Sequence, residues 1–278
     1  MEKIRASTPL LTRLKSLSQK LQTQVRLQPS EKRPKLSDLD ESYDRQLRLS
    51  SRETSQPAGF QIAWAWQQSN QRSADYFDVF MLNKDTLGLC IADVSGKGAN
   101  ATQRMESLRG HIKKLVYEEP LPSRVCAQLN RTLCESIALG KYVAFLYAVL
   151  DQRSRRLTYE SAGHCLPLLV HQDGAIEILR ASSGVLGLFS HWTFSDHEIQ
   201  LRAGDVLVMA TDGILSAGNA QEEEFGYQRL FDSVLTSRNR GAHELCECVL
   251  NDVEKFCNGQ FEDDASLMVV SVDENQLA

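Results

Sequence analysis

The sequence predicts an α+β fold of two packed antiparallel β-sheets flanked by helix pairs, and three observations point there. From Phe60 onward, short β-branched or aromatic runs follow one another closely: FQIAWAW, FDVFML, LGLCIADV, YVAFLYAVL, RRLTYESA, LPLLVH, HEIQL, DVLVMAT and ASLMVVSV. Such runs have the composition and length of strands. Between them, Asn83-Lys84-Asp85, Asp173-Gly174 and Ala203-Gly204-Asp205 read as hairpin turns, which join antiparallel neighbours directly. Helical patterns come in pairs, over about 100–117 with 123–138 and about 227–237 with 242–256. A parallel doubly wound sheet would instead alternate helix with strand. In the second helix Val125, Leu129, Leu133 and Ile137 form a four-residue apolar stripe.

Composition narrows the class. The 278 residues are 42% hydrophobic and 24% charged, values of a globular chain and not of a disordered polyelectrolyte. The longest clean apolar stretch, 142–150, is less than half of what a bilayer needs, so no membrane span is expected. The N-terminal MEKIRASTPLLTRLKSLSQKL lacks the continuous apolar core of a secretory signal. Seven cysteines, none in a C-x-x-C, read as small hydrophobes of a reducing cytoplasm. A net charge of −5 argues against nucleic acid as partner.

Charge divides the chain. Residues 1–56 carry 12 Lys and Arg against 7 Asp and Glu; the remainder carries 19 basic and 29 acidic residues, net −10. The division predicts a basic N-terminal extension over 1–56, partly helical or flexible, and a folded domain over 57–275. Leu11, Leu14, Leu17 and Leu21 give the extension an amphipathic helical stripe. A helix lying on the domain, a mobile extension, and a partner- or membrane-contacting helix all fit that stripe.

The chemistry-bearing residues are carboxylates where apolar strands stop. Asp93 ends LGLCIAD, Asp212 ends DVLVMATD, Asp263 and Asp264 precede ASLMVV, and Asp75 and Asp78 flank the start of DVFML. An aspartate at the rim of a buried strand is costly unless its charge is compensated. No Lys or Arg adjoins Asp212 or Asp263 in sequence. A hard divalent cation, which prefers carboxylate and carbonyl oxygens, is the alternative. Spacing alone does not bring these residues together.

Six segments then occur in a familiar order: SADYFDVF, LCIADVSGKGANAT, YESAGHCLPLLV, GDVLVMATDGILSAGN, FGYQRL and EDDASLMVV. Together, from about Phe60 to Val272, they resemble the bacterial SpoIIE-like (RsbU-like) branch of the metal-dependent serine/threonine protein phosphatases, the PPM or type-2C class. The resemblance implies a protein-serine/threonine phosphatase of αββα sandwich fold, using two Mn²⁺ or Mg²⁺ ions and a metal-activated water. Carried over by position, Asp93 bridges both ions, the Val94 carbonyl faces one, Asp75 holds the second, and Asp212 and Asp263 hold the first. Asp93, Asp75 and Asp212 are then the catalytic set, and Asp264 is outer-sphere. Two divalent ions suit phosphomonoester hydrolysis because they supply an attacking group near neutral pH and neutralise phosphoryl charge.

The same resemblance implies a cytoplasmic enzyme acting on a phosphorylated regulator, typically a STAS-type anti-sigma-factor antagonist. Two motifs depart from the family pattern: Ser73-Ala74 stands where Gly-Gly is usual before Asp75, and Gly96-Lys97-Gly98 where Gly-His-Gly is frequent. Lys97 is either a phosphate-attracting charge or an exposed turn lysine. His164 in the AGH motif is read as a bracing residue, with direct substrate contact as the other option, and the GVLGLF segment as a packed loop beside the site. A catalytically weak phosphoprotein-binding module of the same fold is the alternative function. A two-metal nuclease or cyclase is disfavoured by the domain's acidity and by the incomplete P-loop pattern around Gly96-Lys97-Gly98.

Overall fold

The computed structural model describes residues 56–69, 75–96, 99–136, 140–180 and 184–274. The expected N-terminal helix, Ser73-Ala74, Lys97 and the Ile137 end of the second helix lie outside the described residues.

The chain runs β1 (Phe60–Gln67), β2 (Asp75–Asn83), β3 (Thr86–Val94), α1 (Ala99–Glu118), α2 (Pro122–Ser136), β4 (Val143–Asp151) and β5 (Arg156–Ala162). It continues β6 (Leu168–Val170), β7 (Ile176–Ile178), β8 (His197–Gln200), β9 (Val206–Ala210), α3 (Asp212–Leu215), α4 (Gly226–Ser237), α5 (Ala242–Phe256) and β10 (Ala265–Val272). One sheet has the order β1-β10-β9-β6-β7, the other β2-β3-β4-β5-β8. Every strand pairing in both sheets is antiparallel. Two of the three expected hairpin turns join paired neighbours, β2 to β3 and β6 to β7. Ala203-Gly204-Asp205 is instead a turn that carries the chain from β8 in one sheet to β9 in the other, and so is not a hairpin.

Three apolar layers hold the sandwich. Between the sheets lie Leu89, Ile91 and Leu146 from one side and Leu207, Met268 and Val270 from the other. Cys90, Ala92, Phe145 and Tyr147 point the opposite way, onto Met105, Leu108, Ile112, Val125 and Leu129 of α1 and α2. Val208, Leu267 and Val269 meet Leu230, Leu245, Val249 and Val253 of α4 and α5. Central strands are therefore covered on both faces, and their sequences read as nearly continuous apolar runs. Each fully buried Leu, Ile or Val contributes about 1.5–3 kcal/mol relative to exposure. The helices supply matching stripes: Ala101, Met105, Leu108, Ile112 and Val116 in α1 recur at three- and four-residue steps and are all buried. Trp64 and Trp66 sit partly buried at the margin of the inter-sheet layer.

All seven cysteines are free thiols. Among the described residues no helix is long and apolar enough to cross a membrane.

Candidate functional site

The β2–β3 hairpin sets Asp75 directly opposite Asp93 in register. Both stand at the end of their sheet where β9 stops and β10 begins in the other. Ser266, second residue of β10, reaches across and donates its hydroxyl hydrogen to Asp75 Oδ2 at 2.7 Å. The neighbouring strand joins in: the Thr211 amide donates to the Ser266 carbonyl at 2.9 Å, and the Ser266 amide donates to Thr211 Oγ1 at 3.0 Å. Asp75 is buried, and burial pushes its carboxyl well above the usual range. The charges of Asp93 and Asp264 push the same way, while the Ser266 and Thr211 hydroxyls oppose them.

Asp263 and Asp264 form the turn into β10. The Asp264 amide donates to Asp263 Oδ1 at 3.0 Å, and Asp264 Oδ1 accepts the Ser69 amide at 2.8 Å. Asp212 lies against this turn for a steric reason. A β-carbon on Gly213 would stand 2.0 Å from the Asp264 carbonyl oxygen, a distance that excludes any side chain. Glycine thus lets the Asp212 segment close onto Asp263-Asp264.

The five aspartates occupy two levels. Asp75 and Asp264 are buried; Asp93, Asp212 and Asp263 are half-buried above them. The Tyr142 phenol faces the upper three: burial raises its pKa first, and the charges of Asp93, Asp212 and Asp263 raise it further. Tyr142 is fixed by the loop after Asp93, since the Ser95 amide donates to its carbonyl at 3.0 Å and its own amide donates to Ser95 Oγ at 2.8 Å.

Two expectations change. Asp212 does not close a strand: β9 ends at Ala210, and Asp212 opens the short helix α3. A strand could not continue there, because the chain turns to lie on the Asp264 carbonyl. Asp78 stands apart from the other carboxylates. It is three positions from Asp75, hence on the opposite face of β2, where it accepts the Tyr76 hydroxyl at 2.8 Å and lies 3.6 Å from Lys113 Nζ.

His164 is buried, with Nδ1 3.1 Å from the Cys165 carbonyl oxygen, and burial lowers its pKa to about 4. The ring is neutral at physiological pH. The loop expected beside it is packed: Leu186 pairs with Val143, and a β-carbon on Gly163 would collide with Val185.

The donor set at this end of the sandwich is carboxylate, carbonyl and hydroxyl oxygen throughout, the chemistry a hard divalent cation takes. Among the described residues, no three carboxylate, imidazole or thiol groups already stand as a closed cation cage. The half-buried carboxylates repel one another, so a closed arrangement needs the compensating charge.

A family profile, Stage II sporulation protein E (SpoIIE), matches residues 83–273. The chain belongs to the SpoIIE family. It is 27% identical over 205 residues to the phosphoserine phosphatase RsbU of Bacillus subtilis, covering 73% of this chain and 60% of RsbU. The chain thus spans less than two thirds of that relative. Among solved structures, the SiaA-PP2C domain of Pseudomonas aeruginosa superposes with a TM-score of 0.71 at 17% identity, covering 85% of this chain and 96% of that one. The catalytic domain of the serine/threonine protein phosphatase PstP, solved with two manganese ions, gives 0.56 at 14% identity over 77% of this chain and 98% of that one. The SpoIIE-family chain therefore has the fold of PP2C phosphatase domains.

Tyr142, Ser266 and Thr211 were not foreseen. In the sequence Tyr142 reads as the start of an apolar run, and the two hydroxyls look like ordinary strand residues. A polar residue inside an otherwise apolar strand, as Ser266 is within ASLMVV, was the available signal.

Proposed function

We propose that the chain is a metal-dependent serine/threonine protein phosphatase, hydrolysing phosphoserine or phosphothreonine on a regulatory protein in the cytoplasm. The observation that carries this reading is the Asp75–Asp93 pair, joined through Ser266 to the sheet that brings Asp212, Asp263 and Asp264. Membership of the SpoIIE family and the phosphoserine phosphatase relative support it. Asp75, Asp93, the Val94 carbonyl, Asp212 and Asp263 would hold two Mn²⁺ or Mg²⁺ ions, with Asp264 behind them. When bound, such ions supply an activated water for in-line attack and neutralise the phosphoryl oxygens.

The protein's own groups do the positioning. Ser266 and Thr211 fix the Asp75 carboxylate, and the Ser69 amide fixes Asp264 beneath Asp263. Tyr142, whose phenol is held protonated by burial and by the charges of Asp93, Asp212 and Asp263, borders the half-buried carboxylates. His164, neutral and buried, is a brace and not a general acid. The substrate we infer from the family resemblance is a phosphorylated STAS-type anti-sigma-factor antagonist.

One competing reading is a non-catalytic phosphoprotein-binding module of the same fold, motivated by Ser73-Ala74 standing where Gly-Gly is usual before Asp75. Phosphate release from a phosphoserine-bearing STAS-type antagonist separates the two. Turnover with Mn²⁺ that is abolished by chelation and by Asp93→Asn is expected of the phosphatase; binding without turnover would establish the module.

A further inference from the structure

Beyond the carboxylates, the loop that leaves Asp93 carries a second, oppositely charged feature. Gly96 is exposed and has a φ of 101°. A β-carbon placed on it would meet Lys141 Nζ at 3.1 Å and Arg104 Nη2 at 3.3 Å. Two cations from separate parts of the chain, one from α1 and one from the residue before Tyr142, therefore converge over a bare backbone turn. Each is held there. Arg104 Nη2 donates to the Ser95 carbonyl at 3.1 Å, and the paired Ser95–Tyr142 hydrogen bonds fix the backbone beside Lys141.

Among the described residues neither cation makes an ion pair, although the domain has ten more acids than bases. Arg104 Nε is buried and has no hydrogen-bond partner. Like charges held this close disfavour one another unless an anion joins them. A guanidinium fork beside a mobile ammonium suits a tetrahedral oxyanion.

We infer that Arg104 and Lys141 form a phosphoryl-binding pair at the rim of the carboxylate site, receiving the substrate's phosphate oxygens from the Gly96 side. This rests on the phosphatase reading above. Gly96 is part of the design, since any larger residue would both strain the turn and push the two cations apart.

The test uses the full chain with Mn²⁺, p-nitrophenyl phosphate as substrate and inorganic phosphate as competitor. Lys141→Met removes the charge without removing any hydrogen bond of the fold, and Lys141→Arg restores it. Arg104→Met is the second arm, with Lys141→Met decisive should Arg104→Met fail to fold. Loss of a charge-assisted contact predicts a rise of about tenfold or more in KM and in the phosphate inhibition constant for Lys141→Met, with Lys141→Arg close to the parent. An active parent whose Lys141→Met variant keeps both constants would overturn the pair. With a phosphoserine peptide as a second substrate, a change confined to the peptide would also overturn the pair and assign the cations to an acidic residue flanking the phosphoserine. A parent inactive under all metal conditions would fail the phosphatase reading itself, a distinct result.

Discussion

Ser266 Oγ lies 2.7 Å from Asp75 Oδ2, and this one hydrogen bond links the two sheets at the end where the carboxylates gather. Ser266→Ala leaves a buried carboxylate without that donor. The expected cost is about 1–3 kcal/mol of stability, read by urea unfolding, together with weakened Mn²⁺ dependence. A variant as stable as the parent would show that the bond does not organise the site.

Gly213 makes a steric prediction. Because a methyl group there would strike the Asp264 carbonyl, Gly213→Ala must part the Asp212 and Asp263-Asp264 segments. Overpacking of this kind costs about 1–3 kcal/mol, and the phosphatase activity should fall with it. Gly218→Ala is the control, since its β-carbon would meet nothing nearer than the Glu223 carbonyl at 4.0 Å. Equal melting temperatures for the two variants would contradict the packing described.

The loop beside His164 depends on one buried amide. Asn130 Nδ2 donates to the Phe189 carbonyl at 3.0 Å, and its Oδ1 accepts the Gly187 amide at 2.8 Å. Asn130→Ala should leave the fold standing but speed hydrogen exchange at the Gly187 amide by an order of magnitude or more, following a loss of about 1–3 kcal/mol locally. Unchanged exchange at Gly187 would mean that other contacts hold the loop.

His164 predicts a pH dependence. Its folded pKa, about 4, is below its ordinary 6.5 because burial disfavours the charged ring. The unfolded chain therefore takes up a proton that the folded chain refuses. Above about pH 6.5 the effect vanishes; as pH falls toward 4 it destabilises the fold progressively, by about 3 kcal/mol at most. His164→Gln removes this slope. Urea midpoints across pH 4–7 should bring parent and variant closer together at the acid end, and a constant gap would refute the assignment.

Much of this architecture was legible because burial writes itself into sequence. β3, β4, β9 and β10 are covered on both faces and appear as apolar runs, while α2 shows its stripe through Val125 and Leu129. Aspartates stood out as charges at the ends of such runs. The direction of Asp78 was not legible, since residues three apart in a strand look adjacent until the pleat sends them to opposite faces. Nor were Ser266, Tyr142, Arg104 and Lys141, which acquire meaning only when segments far apart in the chain are folded together. Arg104 looked like any polar residue on an amphipathic helix. Asp212 was placed at a strand end, whereas the strand stops two residues earlier at Ala210 and the Gly213–Asp264 contact turns the chain so that Asp212 opens a helix.

The most direct measurement is a titration of the parent and Asp93→Asn with Mn²⁺, followed by the electron paramagnetic resonance signal of the free ion. Cation binding by carboxylates drawn from both sheets predicts saturable uptake of two ions by the parent and loss of at least one in the variant. A parent that takes up no Mn²⁺, or a variant that binds as the parent does, would contradict it.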